Sequence, residues 1–342
     1  MARIRPRVLL IGAGLALVAA LLTFGSAGFG GDKETSARYC WGSWGSKDDQ
    51  FRSDDDVSYS AEDTPPSRKR PHGTCTVTRS WKKEKESLDV RYGTLPKDTA
   101  EKRRWADELL GPKGTPLPDG LSGYVDDAYA LLVLPRSCDI QGRPSTVLME
   151  SGDGEAMFTS EGWQSARLLV AAANSGMKRA GCAPQTPLRL RSPLPSYNTT
   201  TDRDTSPGLD GIESYPDRLC GVAGLGPDSL TTAPDHTLSV PQTPGRRTTL
   251  ACDARAHKSG EPVLGLRAVR DPRLVALFAG LPERDGERGS WALSRSRCGD
   301  ARMVTYVRGD RSAGQHVGDP SGALPRYERA AAAYFGCEGK RG

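Results

Sequence analysis

Eight cysteines are the residues of this 342-residue chain whose number and spacing indicate chemistry most directly. They are Cys40, Cys75, Cys138, Cys182, Cys220, Cys252, Cys298 and Cys337. An even number of thiols in an exported chain is typical of disulfide formation. None of the eight belongs to a CxxC pair, which argues against a zinc site or a thiol redox motif. We therefore expect four disulfides and neither a metal nor another cofactor.

Other groups suited to catalysis are sparse. The four histidines are His72, His236, His257 and His316. All lie in polar segments typical of loops. The S-x-x-K string at Ser80 ends a predicted strand instead of beginning a helix, and the partner motifs of that acyl-transferase class are missing. The acidic run 48–56 lacks the ligand register and the glycine of a calcium loop. These patterns favour a protein without catalytic activity. The alternative is an envelope hydrolase or transferase with a site between two modules of the chain.

The N-terminal segment indicates the compartment. Three arginines within residues 1–7 precede an uncharged stretch at 8–31, an order that places the following chain outside the cytoplasm. The stretch approaches the roughly 20 residues that span a bilayer. We expect a retained transmembrane helix, a signal anchor, over residues 1–27 and a spacer over 28–37. The alternative is a secreted protein, released by signal-peptide cleavage near Ala27.

The overall charge does not indicate a nucleic-acid partner. The formal net charge is +5, and the three N-terminal arginines supply most of it. The exported part is therefore nearly neutral, whereas nucleic-acid binding proteins carry basic faces. Hydrophobic residues make up 37% of the chain and aromatic residues 6%, which favours two modest cores over a single large one.

The two sets of four cysteines lie in segments with the same order of predicted elements. Two strands come first, around "TCTVTRSW" in one half and "LACDARAH" in the other, and a helix follows at 97–111 and 271–281. Asp98 and Asp271 stand where the N-caps of these two helices belong. Two more strands and a final helix then lead to Cys182 and Cys337. The helices "SGMKRAGC" and "AAAYFGC" both end on glycine and cysteine. The repeated order predicts an internal duplication.

The expected fold is therefore α+β. We predict the N-terminal transmembrane helix followed by two duplicated ββαββα disulfide-bonded modules, each an antiparallel sheet with helices on one face. The modules span 38–184 and 216–342. A Pro/Thr/Asp-rich linker over 185–215 separates them, because this composition buries little apolar surface.

A cysteine at the last turn of a helix can tie that end to the sheet. We therefore predict the bonds Cys138–Cys182 and Cys298–Cys337, which leaves Cys40–Cys75 and Cys220–Cys252. Each bond is worth about 3–4 kcal/mol by loop entropy. Four cysteines allow three pairings in each module, so the other pairings stay open.

Aromatic and basic residues indicate a candidate binding surface. Its members are Trp41, Trp44, Trp81, Lys82, Lys83, Lys102, Arg103 and Arg104. On an exported protein such residues suit a cell-envelope protein or an anionic wall polymer. The competing interpretation is an ordinary charged surface, with the tryptophans of "CWGSWG" packed on a disulfide.

The Arg-, Ala-, Gly- and Pro-rich composition, the single N-terminal anchor and the paired four-cysteine segments resemble uncharacterised extracytoplasmic proteins of actinobacteria. The resemblance implies a place in the cell membrane, with a single pass and the C-terminal part outside. It implies no activity.

Export and oxidation predict a simple result for thiol chemistry. None of the eight cysteines should react with a thiol-blocking reagent in the native mature protein, and all should react after reduction in denaturant. Mass spectrometry counts the modified thiols. Free reaction of every cysteine before reduction would rule out both the compartment and the disulfide framework.

Overall fold

The computed structural model describes thirteen stretches of the chain. They are residues 38–45, 51, 56–109, 114–126, 128–152, 162–194, 218–219, 222–223, 238–239, 248–256, 262–283, 291–309 and 320–337. All belong to one compact unit, Ala37–Gly342. The predicted transmembrane helix 1–27 and spacer 28–37 lie outside them, as do most of the acidic run and His236, His257 and His316. No helix in the described stretches is long and apolar enough to cross a membrane.

A seven-stranded antiparallel sheet forms the first half, which we define as the described residues of 38–194. Its strand order is β3-β4-β5-β9-β8-β7-β6. The strands are β3 (Val57–Thr64), β4 (Gly73–Trp81), β5 (Glu84–Thr94), β6 (Thr115–Pro116), β7 (Gly123–Val125), β8 (Tyr129–Val133) and β9 (Ser145–Ser151). A separate pair, β1 (Arg38–Tyr39) and β2 (Trp44–Gly45), precedes it.

A five-stranded antiparallel sheet forms the second half, the described residues of 218–337. Its order is β12-β13-β14-β16-β15. The strands are β12 (Leu238–Ser239), β13 (Thr249–Ala256), β14 (Pro262–Val269), β15 (Trp291–Cys298) and β16 (Ala301–Gly309). A short pair, β10 (Arg218–Leu219) and β11 (Val222–Ala223), comes before it. The predicted class, mixed α and β with antiparallel sheets, is confirmed.

Four α-helices accompany the sheets in the described stretches. They are α1 (Thr99–Leu109), α2 (Gly162–Ala180), α3 (Pro272–Val275) and α4 (Pro320–Tyr334). Asp98 accepts a hydrogen bond from the backbone N–H of Glu101, and Asp271 caps α3 through the N–H groups of Arg273 and Leu274. Both predicted N-caps are confirmed. The helix expected over 271–281 is shorter, because a 3-10 turn replaces α3 from Ala276 onward.

The helices of each half do not share one face of their sheet, so that expectation is wrong. The apolar stripe of α2, which includes Leu169 and Met177, packs on Val77 and Val90 in one core cluster. Helix α1 instead contributes Ala106 to a second cluster on the opposite face. The cause is the apolar run of β8, which is buried on both faces and therefore needs cover on both.

Each sheet has one face covered by a long helix, α2 or α4. The other faces of the two sheets pack against each other. Leu131 and Leu148 from the first sheet share one core cluster with Phe278, Leu293 and Tyr306 from the second half. We call this cluster the inter-sheet core.

Polar contacts surround the inter-sheet core. Arg273 makes two hydrogen bonds to the carboxylate of Asp139, at 2.6 and 2.9 Å. Ser122 donates to Asp271 at 2.7 Å. Lys102 on α1 donates to the carbonyl of Ala279 at 2.7 Å.

Three of the four predicted disulfides are present, namely Cys40–Cys75, Cys138–Cys182 and Cys298–Cys337. Cys252 is also disulfide-bonded, and its predicted partner Cys220 lies outside the described stretches.

The repeated glycine–cysteine ends have a common geometry. Gly181 and Gly336 have positive φ of 72° and 67°, which turns the chain out of the helix. The backbone N–H groups of Cys182 and Cys337 then donate to carbonyls five residues back, at 3.0 and 2.8 Å, as in a Schellman motif. The glycine therefore stops the helix and directs the next residue towards the sheet.

The first part of the predicted linker packs on the first half. Asn174 of α2 exchanges two hydrogen bonds of 2.9 Å with the backbone of Leu188. Leu190 and Leu194 pack against the same core as α2. Residues 185–194 are therefore part of this half, and 195–215 lie outside the described stretches.

The inter-sheet core predicts that the two halves unfold together. Phe278 is 1% exposed within it, so Phe278→Ala should lower the free energy of unfolding by about 3–5 kcal/mol in a single transition. Urea denaturation followed by tryptophan fluorescence measures this loss. Tyr334→Ala is the control, because Tyr334 is 42% exposed and its loss should cost under about 1 kcal/mol. Two separate transitions in the unmodified protein would contradict the interpretation.

Candidate ligand-binding pocket

A cavity of about 440 Å³ opens on the face of the first sheet opposite α2. Its lining residues come from β3, β4, β5, β9, α1 and the segments between them. They are Thr64, Arg70, His72, Gly73, Thr74, Arg91, Tyr92, Gly93, Thr94, Pro96, Glu101, Thr146 and Leu148. The volume falls in the range of small-molecule sites.

A row of paired residues forms the floor of the pocket. In the antiparallel register Thr64 pairs with Thr74, Thr74 pairs with Arg91, and Arg91 pairs with Leu148. Residues paired in this way point to the same side of a sheet. The floor therefore changes from hydroxyl groups through a guanidinium to an apolar side chain, where Leu148 adjoins the inter-sheet core.

The connection between β3 and β4 supplies one wall. It carries Arg70 and His72, both of which are exposed. His72 lies directly over Gly93, since a Cβ atom at residue 93 would come within 2.9 Å of its Nδ1. The missing side chain of Gly93 therefore leaves room for the imidazole at the edge of the pocket.

Helix α1 supplies the opposite wall through Glu101 in its first turn. The helix is held by Ala106 in the inter-sheet core and by the bond from Lys102 to Ala279. The second half thus fixes the position of the wall that carries the carboxylate.

The charged groups of the pocket are only partly paired. Arg91 contacts Glu150 through Nη2 at 2.5 Å, and its Nε is buried without a hydrogen-bond partner. The side chains of Arg70, His72 and Glu101 make no hydrogen bond or ion pair with the described residues. A polar ligand therefore meets the donors of Arg70 and His72 and the acceptor Glu101, for which no described residue competes.

Tyr92 fixes the strand that carries Arg91 and Gly93. Its ring packs on the α2 side of the sheet, where a Cβ atom at Gly176 would lie 2.5 Å from it. Its hydroxyl is 3.3 Å from the sulfur of Cys182. Burial raises the pKa of Tyr92 to about 12.

The two tryptophans of "CWGSWG" are buried, which favours the interpretation that they pack inside the protein over the one that they form a binding surface. Trp41 is 2% exposed and donates from its indole to the carbonyl of Thr74 at 3.1 Å. Trp44 is 1% exposed and donates to the carbonyl of Leu168 at 3.0 Å.

The remaining candidate residues fall into two separate groups. Trp81, Lys82 and Lys83 form the exposed tip of the β4–β5 hairpin. There Trp81 is 40% exposed, and the ammonium of Lys82 lies 4.8 Å from the centre of its ring.

The second group lies on α1, where Lys102 makes a structural contact with the second half. The side chain of Arg103 is partly buried. The backbone of Arg104 belongs to the same helix.

Sequence reasoning missed the pocket. The sequence patterns single out neither Arg70, Arg91 nor Glu101, and they place His72 only among four histidines in polar segments typical of loops. The available signal was the polar face of "GTCTVTRSW", where threonines alternate with buried residues and continue into Arg91 on the paired strand. Within the described stretches, no cluster of His, Cys, Asp or Glu is suited to hold a metal.

No known protein-family model, curated protein or solved structure matches the chain. Its function is therefore argued from its own residues.

The raised pKa of Tyr92 predicts alkaline sensitivity. The folded state favours the neutral phenol, so its contribution is complete below pH 10 and is lost as the pH rises towards 12. Unmodified protein should lose about 2 kcal/mol more than Tyr92→Phe between pH 8 and pH 11.5. Urea midpoints of both proteins at the two pH values measure the difference. An equal loss in both would show that the phenol of Tyr92 ionises freely.

Proposed function

We propose that the chain is a non-enzymatic binding protein of the cell envelope, tethered to the membrane by residues 1–27. The disulfide-bonded part then lies outside the cytoplasm. Three disulfides within the described stretches support an oxidising, extracytoplasmic compartment. The membrane anchor is inferred from the sequence alone.

We further propose that the two halves are copies of one module, with bounds 38–184 and 216–342. Two observations support this proposal. The five strands β3-β4-β5-β9-β8 follow the same order as β12-β13-β14-β16-β15. Cys75 pairs with Val90 just before Arg91, and Cys252 pairs with Leu266 just before Arg267.

The packing of the halves is the observation that carries the non-enzymatic proposal. An envelope hydrolase or transferase with its site between the modules needs a cleft that admits substrate. Apolar side chains such as Leu131, Phe278 and Tyr306 fill this space instead. In the pocket, His72 has no hydrogen-bonded nucleophile beside it among the described residues, unlike the base of a nucleophile–base pair.

The hairpin tip is the surface that suits the predicted partners, an envelope protein or an anionic wall polymer. Lys82 and Lys83 form its turn beside the exposed ring of Trp81. An exposed indole combined with two ammonium groups fits a polymer that carries negative charge. We favour the wall polymer because charge attraction requires no shaped groove, and the tip projects as a convex turn.

Retention on cell walls tests this function. The full chain in mild detergent should sediment with lipid-free walls in a saturable manner, and salt should weaken the retention. Lys82→Gln/Lys83→Gln should reduce it about tenfold, a loss of about 1.4 kcal/mol.

Lys69→Gln/Lys97→Gln is the matched control, because it removes the same charge from exposed lysines outside the hairpin. Equal retention of both double variants would exclude the hairpin tip. Continuous release of soluble wall fragments during incubation would contradict a non-enzymatic role.

A further inference from the structure

The pocket on the first sheet carries opposite charges on opposite walls. Arg70 and His72 come from the connection between β3 and β4, beside the strands at the outer edge of the sheet. Glu101 comes from α1, which contacts β8 near the middle of the sheet. Arg91 lies between them on the floor.

The arrangement does not suit a simple anion. A phosphate or sulfate bound between Arg70 and Arg91 would share a 440 Å³ cavity with the carboxylate of Glu101. Glu101 makes no ion pair with the described residues, so none of them neutralises its charge. Glu101 therefore repels an anion in the cavity. A ligand that carries a negative group at one end and a positive group at the other can place its positive group beside Glu101, which then attracts it.

We propose that this pocket binds a small zwitterion of the amino-acid or dipeptide class. Its carboxylate lies beside Arg91 and Arg70, and its ammonium lies beside Glu101. The hydroxyl groups of Thr64 and Thr74 provide further hydrogen bonds along the floor. The inference rests on the proposed function, because it assigns a ligand to a protein argued to bind and not to catalyse.

Arg91 and helix α1 are held in place before any ligand binds. Glu150 fixes the guanidinium of Arg91 through Nη2 and leaves its other terminal nitrogen for a carboxylate. The bond from Lys102 to Ala279 holds the helix that carries Glu101. Preorganised groups lose little entropy on binding, which favours affinity for a small ligand.

Calorimetric titration of the full chain with alanyl-alanine tests the proposal. Two matched probes are N-acetyl-alanyl-alanine, which lacks the ammonium, and alanyl-alanine amide, which lacks the carboxylate. The free dipeptide should bind at least tenfold more tightly than either blocked form. Absence of binding at about 10 mM dipeptide, or equal affinity for all three probes, would overturn the proposal.

Two variants assign the ends of the ligand. Glu101→Gln should weaken the free dipeptide about tenfold but should not weaken the acetylated probe, which has no ammonium for Glu101 to attract. Arg70→Gln should weaken the free dipeptide and the acetylated probe to the same degree, because both carry the carboxylate. An affinity for the dipeptide that neither substitution changes would overturn the proposal.

Glu62→Gln and Lys69→Gln are the controls, since both residues are exposed on the same half and do not line the pocket. Neither control should change the affinity for the dipeptide.

The result is separate from the test of wall retention, which depends on the hairpin tip. If the protein is retained on cell walls but does not bind the dipeptide, the proposed ligand is refuted and the proposed function stands. Dipeptide binding without wall retention would keep the ligand and exclude the wall polymer as partner.

Discussion

The burial of apolar side chains between the two sheets is the interaction on which the other features depend. It joins Leu131 and Leu148 of the first half to Phe278 and Tyr306 of the second. Water would otherwise contact the face of β8 that α2 does not cover, and the side chains of this strand are apolar on both faces. The same packing holds α1 in place and so determines where Glu101 stands at the pocket. The second half therefore shapes a site whose described lining residues all come from the first half.

The outer layers are held by a different device. Helices α2 and α4 each end at a glycine with positive φ, and the following cysteine is bonded to a strand end or turn of its own half. The cross-link limits fraying of the last turn of each helix. Apolar packing therefore joins the sheets, and covalent bonds retain the helices that cover them.

Local sequence signals predicted a large part of this fold. Asp98 and Asp271 were identified as N-caps because capping depends only on the next three residues. The glycine–cysteine ends of α2 and α4 predicted two disulfides, because a helix end and its cysteine are adjacent in sequence. The face on which α1 lies could not be predicted. It depends on burial of β8 by the other half of the chain, which no local window contains.

The pocket was hidden for a related reason. His72, Arg91 and Glu101 belong to three different elements, and only the register between strands and the placement of α1 bring them together. Their residue types are ordinary for exposed polar positions. The alternation of β4 predicted a polar face, but it did not indicate that part of this face is walled into a cavity.

Two arginines at equivalent sheet positions explain why a ligand site in one half need not recur in the other. Arg91 and Arg267 each follow the residue that pairs with a disulfide-bonded cysteine. Arg91 lines an open pocket, whereas Arg267 is 0% exposed and donates to the carbonyls of Cys252 and Leu266.

Tyr124 of the first half is wholly buried and interacts electrostatically with Arg267. Burial raises the pKa of Tyr124 well above its usual range, and the positive charge of Arg267 opposes that rise. The first half thus covers the arginine of the second sheet, while no such cover from the described residues closes over Arg91. If the halves arose by duplication, their unequal packing on each other converted one arginine into a buried structural group and left the other available for a ligand.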